Sequence, residues 1–172
     1  MCRLVTLIVA ASGASGAVIT ATLLRKLKMS NTRIALIVSE GAKKVAEIEL
    51  KIKLSELGKM ADIVVEDEEQ IMELEPKGMI IAPCSMKTLA GVAWERTDNI
   101  LLRAAKQILH KRIPLILVVR ETPWSIIHLK NMLKASEKGA IIMPPTIQPQ
   151  SSQKKLEDAV NYLADKIVRL CL

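Results

Sequence analysis

Residues 4–17 read LVTLIVAASGASGA, and this stretch decides the fold. Its first part, Leu4–Ala11, is a continuous apolar run, which is typical of a strand that is buried on both faces of a parallel sheet. The glycine-rich turn Ser12–Gly16 follows it. The next residues, Ala17–Lys28, have apolar side chains three and four positions apart, as in an amphipathic helix. A strand, a glycine turn and a helix in this order predict the first βα unit of an α/β fold.

Strand-like runs and helix-periodic stretches alternate along the rest of the chain. This alternation predicts a single α/β domain over residues 1–172, doubly wound, with three layers around a parallel sheet. We expect strands at Leu4–Val9, Arg33–Val38, Ile63–Val65, Met79–Ala82, Pro114–Val119 and Ala140–Met143. We expect helices at Ala17–Lys28, Glu40–Lys51, Glu68–Leu74, Asp98–His110, Ser125–Ser136 and Lys155–Leu170. The last helix should be capped by Ser151 or Ser152 and should bury Leu156, Ala159, Val160, Leu163, Ile167 and Leu170.

Half of the 172 residues are hydrophobic, so a membrane protein has to be considered. The longest apolar runs, such as Leu4–Ala11 and Ile113–Val119, are much shorter than the ~20 residues that a spanning helix needs. Leu4–Ala11 leads directly into a glycine turn with no cleavage region, so no secretory signal is predicted. Cys2, Cys84 and Cys171 are far apart and form no CxxC pair, which favours a reducing compartment and no zinc site. We therefore expect a cytoplasmic protein without a bound metal.

The net charge of +7 raises the possibility of a nucleic-acid partner. Aromatic residues make up only 2% of the chain, however, so stacking platforms for single strands are nearly absent. The largest basic concentration comprises Arg103, Lys106, Lys111 and Arg112, a pattern that is more typical of a solvated helix face. The charge distribution thus argues against nucleic acid and leaves room for a small anionic ligand.

Two polar segments follow predicted strands and precede predicted helices. In Ser12–Gly16 the glycines allow close approach of a ligand, and the following helix offers free amides to an anion. This segment is not a dinucleotide fingerprint, and a tight structural turn explains it equally well. In Ala82–Thr88 the hydroxyls of Ser85 and Thr88 and the charge of Lys87 suit a mononucleotide phosphate. Ser85 could instead simply cap the helix.

A third segment places charge at the end of a buried strand, where Arg120 and Glu121 follow Val119. In a parallel sheet that edge borders the ligand crevice, although an Arg–Glu ion pair is the simpler explanation. Glu49 is, by itself, one of many surface glutamates. His110 and His128 have neither metal-ligand spacing nor a nearby acidic partner in the sequence, so we expect neither to bind a metal.

Taken together, these segments closely resemble the UbiX-type flavin prenyltransferases over nearly the whole chain. The spacing of five motifs in register carries the resemblance. The matching residues are Gly13-Ala14-Ser15-Gly16, Ser39, Pro83 to Gly91, Asp98-Asn99 with Arg103-Ala104-Ala105, Arg120-Glu121-Thr122-Pro123 with His128-Leu129, Asn131-Met132-Leu133 and Gly139-Ala140.

The resemblance implies a Rossmann-like flavoprotein fold that binds FMN and assembles from trimers into a homo-oligomeric dodecamer. It implies that reduced FMN is alkylated at N5 by dimethylallyl phosphate and that a second bond, to C6, closes a fourth ring. The prenylated FMN then serves a partner decarboxylase. Neither a metal nor nucleic acid takes part.

The resemblance also implies a role for individual residues. Glu49 would be the acid/base group near the flavin, Ser15 its relay, and Glu121 a residue of the prenyl-phosphate pocket that we count with the catalytic set. Arg103, Lys166 and His110 would bind the substrate phosphate, His110 at a position where the family has lysine. FMN would be bound by Gly13, Ala14, Ser15, Ser39, Ser85, Met86, Lys87, Thr88 and Arg120.

Several positions depart from the family pattern, all on the prenyl side. The loop before the last helix reads Thr146-Ile147-Gln148 and lacks the family's phosphate-binding tyrosine. The acidic segment Glu66–Glu75 stands where the family has an Ala-Pro-x-Ala-Ser-Gly-Ser stretch, and Trp94-Glu95-Arg96 replaces a glycine-containing turn. The sequence therefore allows two main functions, a flavin prenyltransferase with a remodelled phosphate pocket and an FMN-binding relative without prenyl transfer. Decarboxylation of a cysteinyl thiol is a third possibility, disfavoured because position 49 is not histidine.

Overall fold

Six parallel strands form one sheet in the computed structural model, which describes residues 5–30, 32–50, 54–145 and 153–171. Within these residues the strand order is β3-β2-β1-β4-β5-β6, and every neighbouring pair is parallel. The strands are β1 (Thr6–Ala11), β2 (Arg33–Val38), β3 (Ile63–Val64), β4 (Gly78–Cys84), β5 (Leu115–Val119) and β6 (Ala140–Ile142).

Helices connect the strands and cover both faces of the sheet. They are α1 (Ala17–Met29), α2 (Glu40–Leu50), α3 (Leu54–Lys59), α4 (Glu68–Glu73), α5 (Met86–Ala93), α6 (Ile100–His110), α7 (Ile126–Glu137) and α8 (Gln153–Cys171). No helix in the described part of the chain is long and apolar enough to cross a membrane.

Alternate residues of each strand face opposite sides of the sheet, because side chains in a strand have a period of two. Ile8 and Ala10 of β1 lie in one buried cluster with residues of α5, α6 and α7. Leu7 and Val9 lie in the other, with residues of α1 and α8. The doubly wound, three-layer α/β fold predicted from the sequence is therefore confirmed.

The bounds of several elements differ from the predicted ones for identifiable reasons. β1 extends to Ala11 because that residue still pairs with Val38 of β2. α6 begins at Ile100 instead of residue 98, because the Asn99 side chain accepts a hydrogen bond from the Leu102 amide and caps the helix. The six-residue helix α3 was not predicted, since it is too short to display helical periodicity.

On α8, Leu163 and Ile167 are buried as predicted. The prediction for Leu170 is wrong, because its side chain is 48% exposed, near the end of the helix. Ser151, Ser152 and the side chains of Leu156, Ala159 and Val160 lie outside what the structure describes.

The order of the strands positions the candidate site. β1 lies between β2 and β4, so the connections that leave β1 and β4 diverge to opposite faces of the sheet. Such a point of divergence leaves a crevice at the carboxyl ends of the strands. The segments that follow β1, β2 and β4 meet at this edge.

Candidate functional site

A cleft of about 920 Å³ lies at the carboxyl edge of β1, β2 and β4. Its volume falls within the ~300–1,000 Å³ that is usual for small-ligand sites. It brings together the segments after β1, β2 and β4 with the first turn of α6. The lining residues are Gly13, Val38, Ser39, Glu40, Gly41, Ser85, Lys87, Thr88, Ala90, Gly91, Arg96, Asp98, Asn99, Ile100, Leu101 and Leu102.

Ser12 ties the glycine loop, which we define as residues 12–16, to the end of β4. Its buried hydroxyl donates to the Pro83 carbonyl at 2.7 Å and accepts from the Ser85 amide at 2.8 Å. The Ser12 amide also donates to the Pro83 carbonyl. One side chain thus fixes the relative position of two walls of the cleft.

The glycine loop and α2 approach each other backbone to backbone. A Cβ atom built on Gly13 would lie 3.1 Å from the Cα atom of Gly41, and one built on Gly41 would lie 3.0 Å from the Cα atom of Gly13. Real Cβ atoms tolerate such distances to a backbone poorly, so both positions require glycine. The sequence pointed to Gly13 but not to Gly41, whose role depends on this contact with a distant segment.

The first turn of α1 is capped by a residue of another helix. Gly16 adopts φ 110°, which glycine accommodates easily, and it has no side chain to cap α1. Glu49 of α2 supplies the missing acceptor: its Oε2 atom accepts from the Gly16 amide at 2.8 Å and from the Ala17 amide at 2.9 Å. The carboxylate also lies at the positive end of the α1 dipole, which stabilises it.

Glu49 lies in a group of polar residues around Gly16 that includes Ser15 and Arg120. Partial burial acts to raise the pKa of Glu49, but the amides of Gly16 and Ala17, the Ser15 hydroxyl and the Arg120 charge outweigh it, so the pKa is held below its ordinary value. Arg120 lies close to Gly16: a Cβ atom at Gly16 would be 3.4 Å from the Arg120 Nη1 atom. Glu49 is therefore ionised at neutral pH.

An anion cradle lies at the first turn of α5, formed by Ser85, Lys87 and Thr88. The Ser85 hydroxyl accepts from the Thr88 amide at 3.1 Å and lies 2.9 Å from the Thr88 hydroxyl. Ser85 is thus the helix cap that its position allowed, and both hydroxyls face the cleft. Across the cleft, Ser39 caps α2 by accepting from the Ala42 amide at 3.2 Å. Two helix N-termini, three hydroxyls and a lysine suit a phosphate group.

Several of the residues expected to bind FMN, and Glu121 of the expected prenyl-phosphate pocket, are not among the residues that line this cleft. Ala14 is buried within the glycine loop. Met86 is half-buried and packs against the core that contains α5 and α6. Arg120 and Glu121 are exposed, and no ion pair joins them in the described structure, so the simpler explanation for this charged pair is wrong.

Arg103, expected to bind the substrate phosphate, is paired with a carboxylate. Its Nε atom lies 2.8 Å from the Glu68 Oε2 atom, and its Nη1 atom donates to the Thr97 carbonyl at 2.9 Å. Thr97 stands between Arg96 and Asp98, both of which line the cleft. We refer to residues 96–98 as the rim of the cleft; Arg103 contacts this rim through Thr97 and is not itself a lining residue. The contact with Glu68 could not be inferred from the spacing of the motifs.

His110 has an acidic neighbour, contrary to the expectation from the sequence. Its Nε2 atom lies 3.6 Å from the Glu95 Oε2 atom, and Glu95 also pairs with Lys138. The contact arises because the turn after α5 and the last residue of α6 lie side by side. Lys166, the third expected phosphate ligand, is exposed on α8, with its ammonium group 4.8 Å from the ring centre of Tyr162.

The all-parallel sheet and the cleft at its point of divergence define a Rossmann-like α/β protein with a cleft at the carboxyl edge, where open α/β sheets usually bind their ligands. The family model named Flavoprotein matches residues 2–171. Flavin prenyltransferase UbiX of Escherichia coli K12 is 36% identical over 168 residues, which is 94% of this chain and 89% of that protein. The chain belongs to the UbiX-like flavin prenyltransferase family, within the Flavoprotein family.

Further relatives agree with this assignment. A probable UbiX-like flavin prenyltransferase of Sedimentibacter hydroxybenzoicus is 34% identical over the same share of both chains. The crystal structure of AnUbiX (PadA1) in complex with FMN and dimethylallyl pyrophosphate has a TM-score of 0.87 at 34% identity, and covers 95% of this chain and 92% of that one. A dodecameric FMN-dependent UbiX-like decarboxylase from Escherichia coli O157:H7 has a TM-score of 0.85 at 32% identity, with 95% and 94% covered.

Proposed function

We propose that this protein binds FMN and transfers a dimethylallyl group to it, as a flavin prenyltransferase. One observation carries the proposal: the glycine loop joins an anion cradle at one end, through Ser12, to the ionised carboxylate of Glu49 at the other. A ligand with a phosphate at one end and a reactive ring at the other suits that arrangement. The similar structure of AnUbiX (PadA1), a complex with FMN and dimethylallyl pyrophosphate, supports this choice.

The residues of the anion cradle fit the phosphate end of FMN. Ser85, Thr88 and Ser39 would hold its phosphate through hydroxyls and helix-terminal amides, with Lys87 adding positive charge. The flavin ring would lie beside the glycine loop, of which Gly13 lines the cleft. When reduced FMN is bound, its ring nitrogen supplies the nucleophile.

Side chains of the protein would accept the proton and stabilise the leaving group. Transfer forms a carbon–nitrogen bond, breaks the carbon–oxygen bond of the prenyl phosphate and releases phosphate with the bonding electron pair. Glu49, deprotonated at neutral pH, would accept the proton lost from the nitrogen, with the Ser15 hydroxyl as relay. Arg103 would stabilise the departing phosphate, and Glu121 would line the same pocket. His110 is the last residue of α6 and Lys166 lies on α8, on the other face of the sheet, so these two would reach that phosphate from another copy of the chain. The prenylated FMN would pass to a partner decarboxylase.

A second function is kept because of one observation. Arg103 is paired with Glu68, and His110 lies beside Glu95, so two of the three expected phosphate-binding cations already have carboxylate neighbours. A protein that binds FMN without transferring a prenyl group would have no need for free cations there. It would store, deliver or otherwise use the flavin.

Anaerobic incubation with reduced FMN and dimethylallyl phosphate separates the two functions. We expect the mass of the extracted flavin to increase by one prenyl group. In single-turnover experiments with flavin-loaded protein, Glu49→Gln should slow adduct formation while FMN binding is retained, and Lys166→Ala should weaken use of the prenyl phosphate. Absence of any adduct with wild-type protein would favour the second function, and equal rates in all three proteins would contradict the roles of Glu49 and Lys166.

The position of the FMN phosphate can be tested separately. Combined replacement Ser85→Ala and Thr88→Ala should weaken FMN binding by roughly 2–4 kcal/mol, because two charge-assisted hydrogen bonds are lost. Ser125→Ala is the matched control, since Ser125 caps α7 through the His128 amide and does not line the cleft. Fluorescence titration should show a large rise in Kd for the first variant and none for the control; unchanged affinity in both would contradict this placement.

A further inference from the structure

The acidic segment before β4 contributes one side chain that contacts Arg103, the arginine beside the rim of the cleft. Glu68 is the first residue of α4, and its carboxylate bridges two residues of α6 that are one turn apart. Its Oε2 atom lies 2.8 Å from the Arg103 Nε atom, and its Oε1 atom accepts from the Gln107 amide group at 2.6 Å. Both oxygens of Glu68 are thus directed at α6.

This contact reduces the positive charge and the free N–H donors that Arg103 can present to an anion. The guanidinium donates to the Glu68 carboxylate through Nε and to the Thr97 carbonyl through Nη1. A phosphate that approaches Arg103 meets a guanidinium whose charge is already balanced, and the Glu68 carboxylate repels it. The pair is partly exposed, with 35% of the Arg103 side chain and 43% of the Glu68 side chain accessible, so an incoming anion can compete for the arginine.

We propose that Glu68 is a specificity-determining residue that sets the charge of the phosphate ester accepted at Arg103. The inference rests on the proposed function, since it assumes that a prenyl phosphate binds at this rim. Repulsion by a fixed carboxylate increases with the charge of the ligand. Glu68 therefore lowers affinity for both esters and disfavours the diphosphate, which carries about one more negative charge, more than the monophosphate.

Glu68→Gln tests this role, because glutamine keeps the size and the hydrogen-bonding capacity of the side chain but removes its charge. Its matched control is Glu69→Gln, which makes the same change in net charge at the next, exposed residue of α4, a residue with no ion pair to Arg103. Calorimetric titration of FMN-supplemented protein with dimethylallyl phosphate and with dimethylallyl diphosphate gives Kd for each ester. Unfolding curves establish that all three proteins are folded at the temperature used.

We expect Glu68→Gln to bind the monophosphate about two- to fivefold more tightly than wild type, the range that corresponds to a partly exposed ion pair, and to gain more for the diphosphate. Glu69→Gln should bind both esters as wild type does. Any one of three results would overturn this inference without contradicting the proposed function. They are unchanged or weaker binding by Glu68→Gln, equal gains in affinity in both variants, and equal gains in affinity for both esters. Failure of every variant to bind either ester would contradict the inference and the proposed prenyl transfer together.

Discussion

Glu49 combines a structural contact with a proposed chemical role, and mutations of this one residue can separate the two. Its carboxylate accepts from the Gly16 and Ala17 amides, so it stabilises the start of α1 whether or not a ligand is bound. The same hydrogen bonds lower its pKa and keep it ionised. Loss of activity in a Glu49 variant therefore has to be distinguished from loss of the cap.

Stability as a function of pH makes this distinction. The folded pKa of Glu49 is below its ordinary value near 4.5, so its charge stabilises the fold above that pH, and the contribution is lost as the pH falls through the folded pKa. We expect Glu49→Ala to lower the free energy of unfolding at pH 7 by about 0.5–1 kcal/mol, the lower range for a helix cap, because the residue is exposed.

Glu49→Gln keeps an acceptor for the amides and should lose less stability than Glu49→Ala. The difference between wild type and Glu49→Gln in thermal unfolding should shrink as the pH falls below 4.5 and through the folded pKa of Glu49, below which both side chains are neutral. A difference that stays constant from pH 7 to pH 3 would show that the charge of Glu49 does not contribute to stability.

At the level of the elements, local patterns were sufficient for the strands and long helices but not for contacts between distant segments. The apolar run of β1 and the period of α1 each depend on neighbouring residues, and both were predicted. The close approach of Gly41 to Gly13 and the Glu68–Arg103 pair join segments that lie far apart in the sequence. Such contacts follow from the way helices pack, which periodicity does not specify.

The packing of α2 on the glycine loop gives a testable consequence. Gly41→Ala should lower stability by about 1–3 kcal/mol, because the new methyl group meets the backbone of Gly13 instead of a side chain that can rotate. It should also weaken FMN binding, since the loop lines the cleft. Gly58→Ala in α3 is the control: its methyl group would lie 3.3 Å from a Val64 methyl group, and alanine favours a helix.

Chemical unfolding and flavin titration of the two variants provide the comparison. The expected result is a clear loss of stability for Gly41→Ala and little change, or a gain, for Gly58→Ala. If both variants have the same stability and FMN affinity, the close approach of α2 to the glycine loop does not determine either quantity.

At the scale of the whole molecule, one group of apolar side chains is exposed at the surface. It lies on α7 and the turn before it, and its side chains are 41–69% exposed. We refer to it as the α7 surface; it consists of Trp124, Ile126, Ile127, Leu129 and Leu133. Contiguous apolar surface of this kind usually marks a contact between proteins.

We expect the α7 surface to be covered by other copies of the chain in a homo-oligomer. Leu133→Lys should reduce the mass in light scattering, because it introduces a charge into the surface. Met29→Lys, which changes another exposed apolar side chain at the end of α1, should leave the mass unchanged. A monomer at micromolar concentration for wild type would contradict the expected assembly.

The Ser12 hydroxyl, which holds the ends of β1 and β4 together, has a consequence for the thermodynamics of ligand capture. Two short hydrogen bonds of this buried hydroxyl fix two walls of the cleft. Little conformational freedom therefore remains there to be lost when a ligand binds. Preorganised sites of this kind retain more of their contact energy as affinity. The conformational entropy of ordering the pocket is thus lost once, when the chain folds, and is not lost again each time a ligand binds.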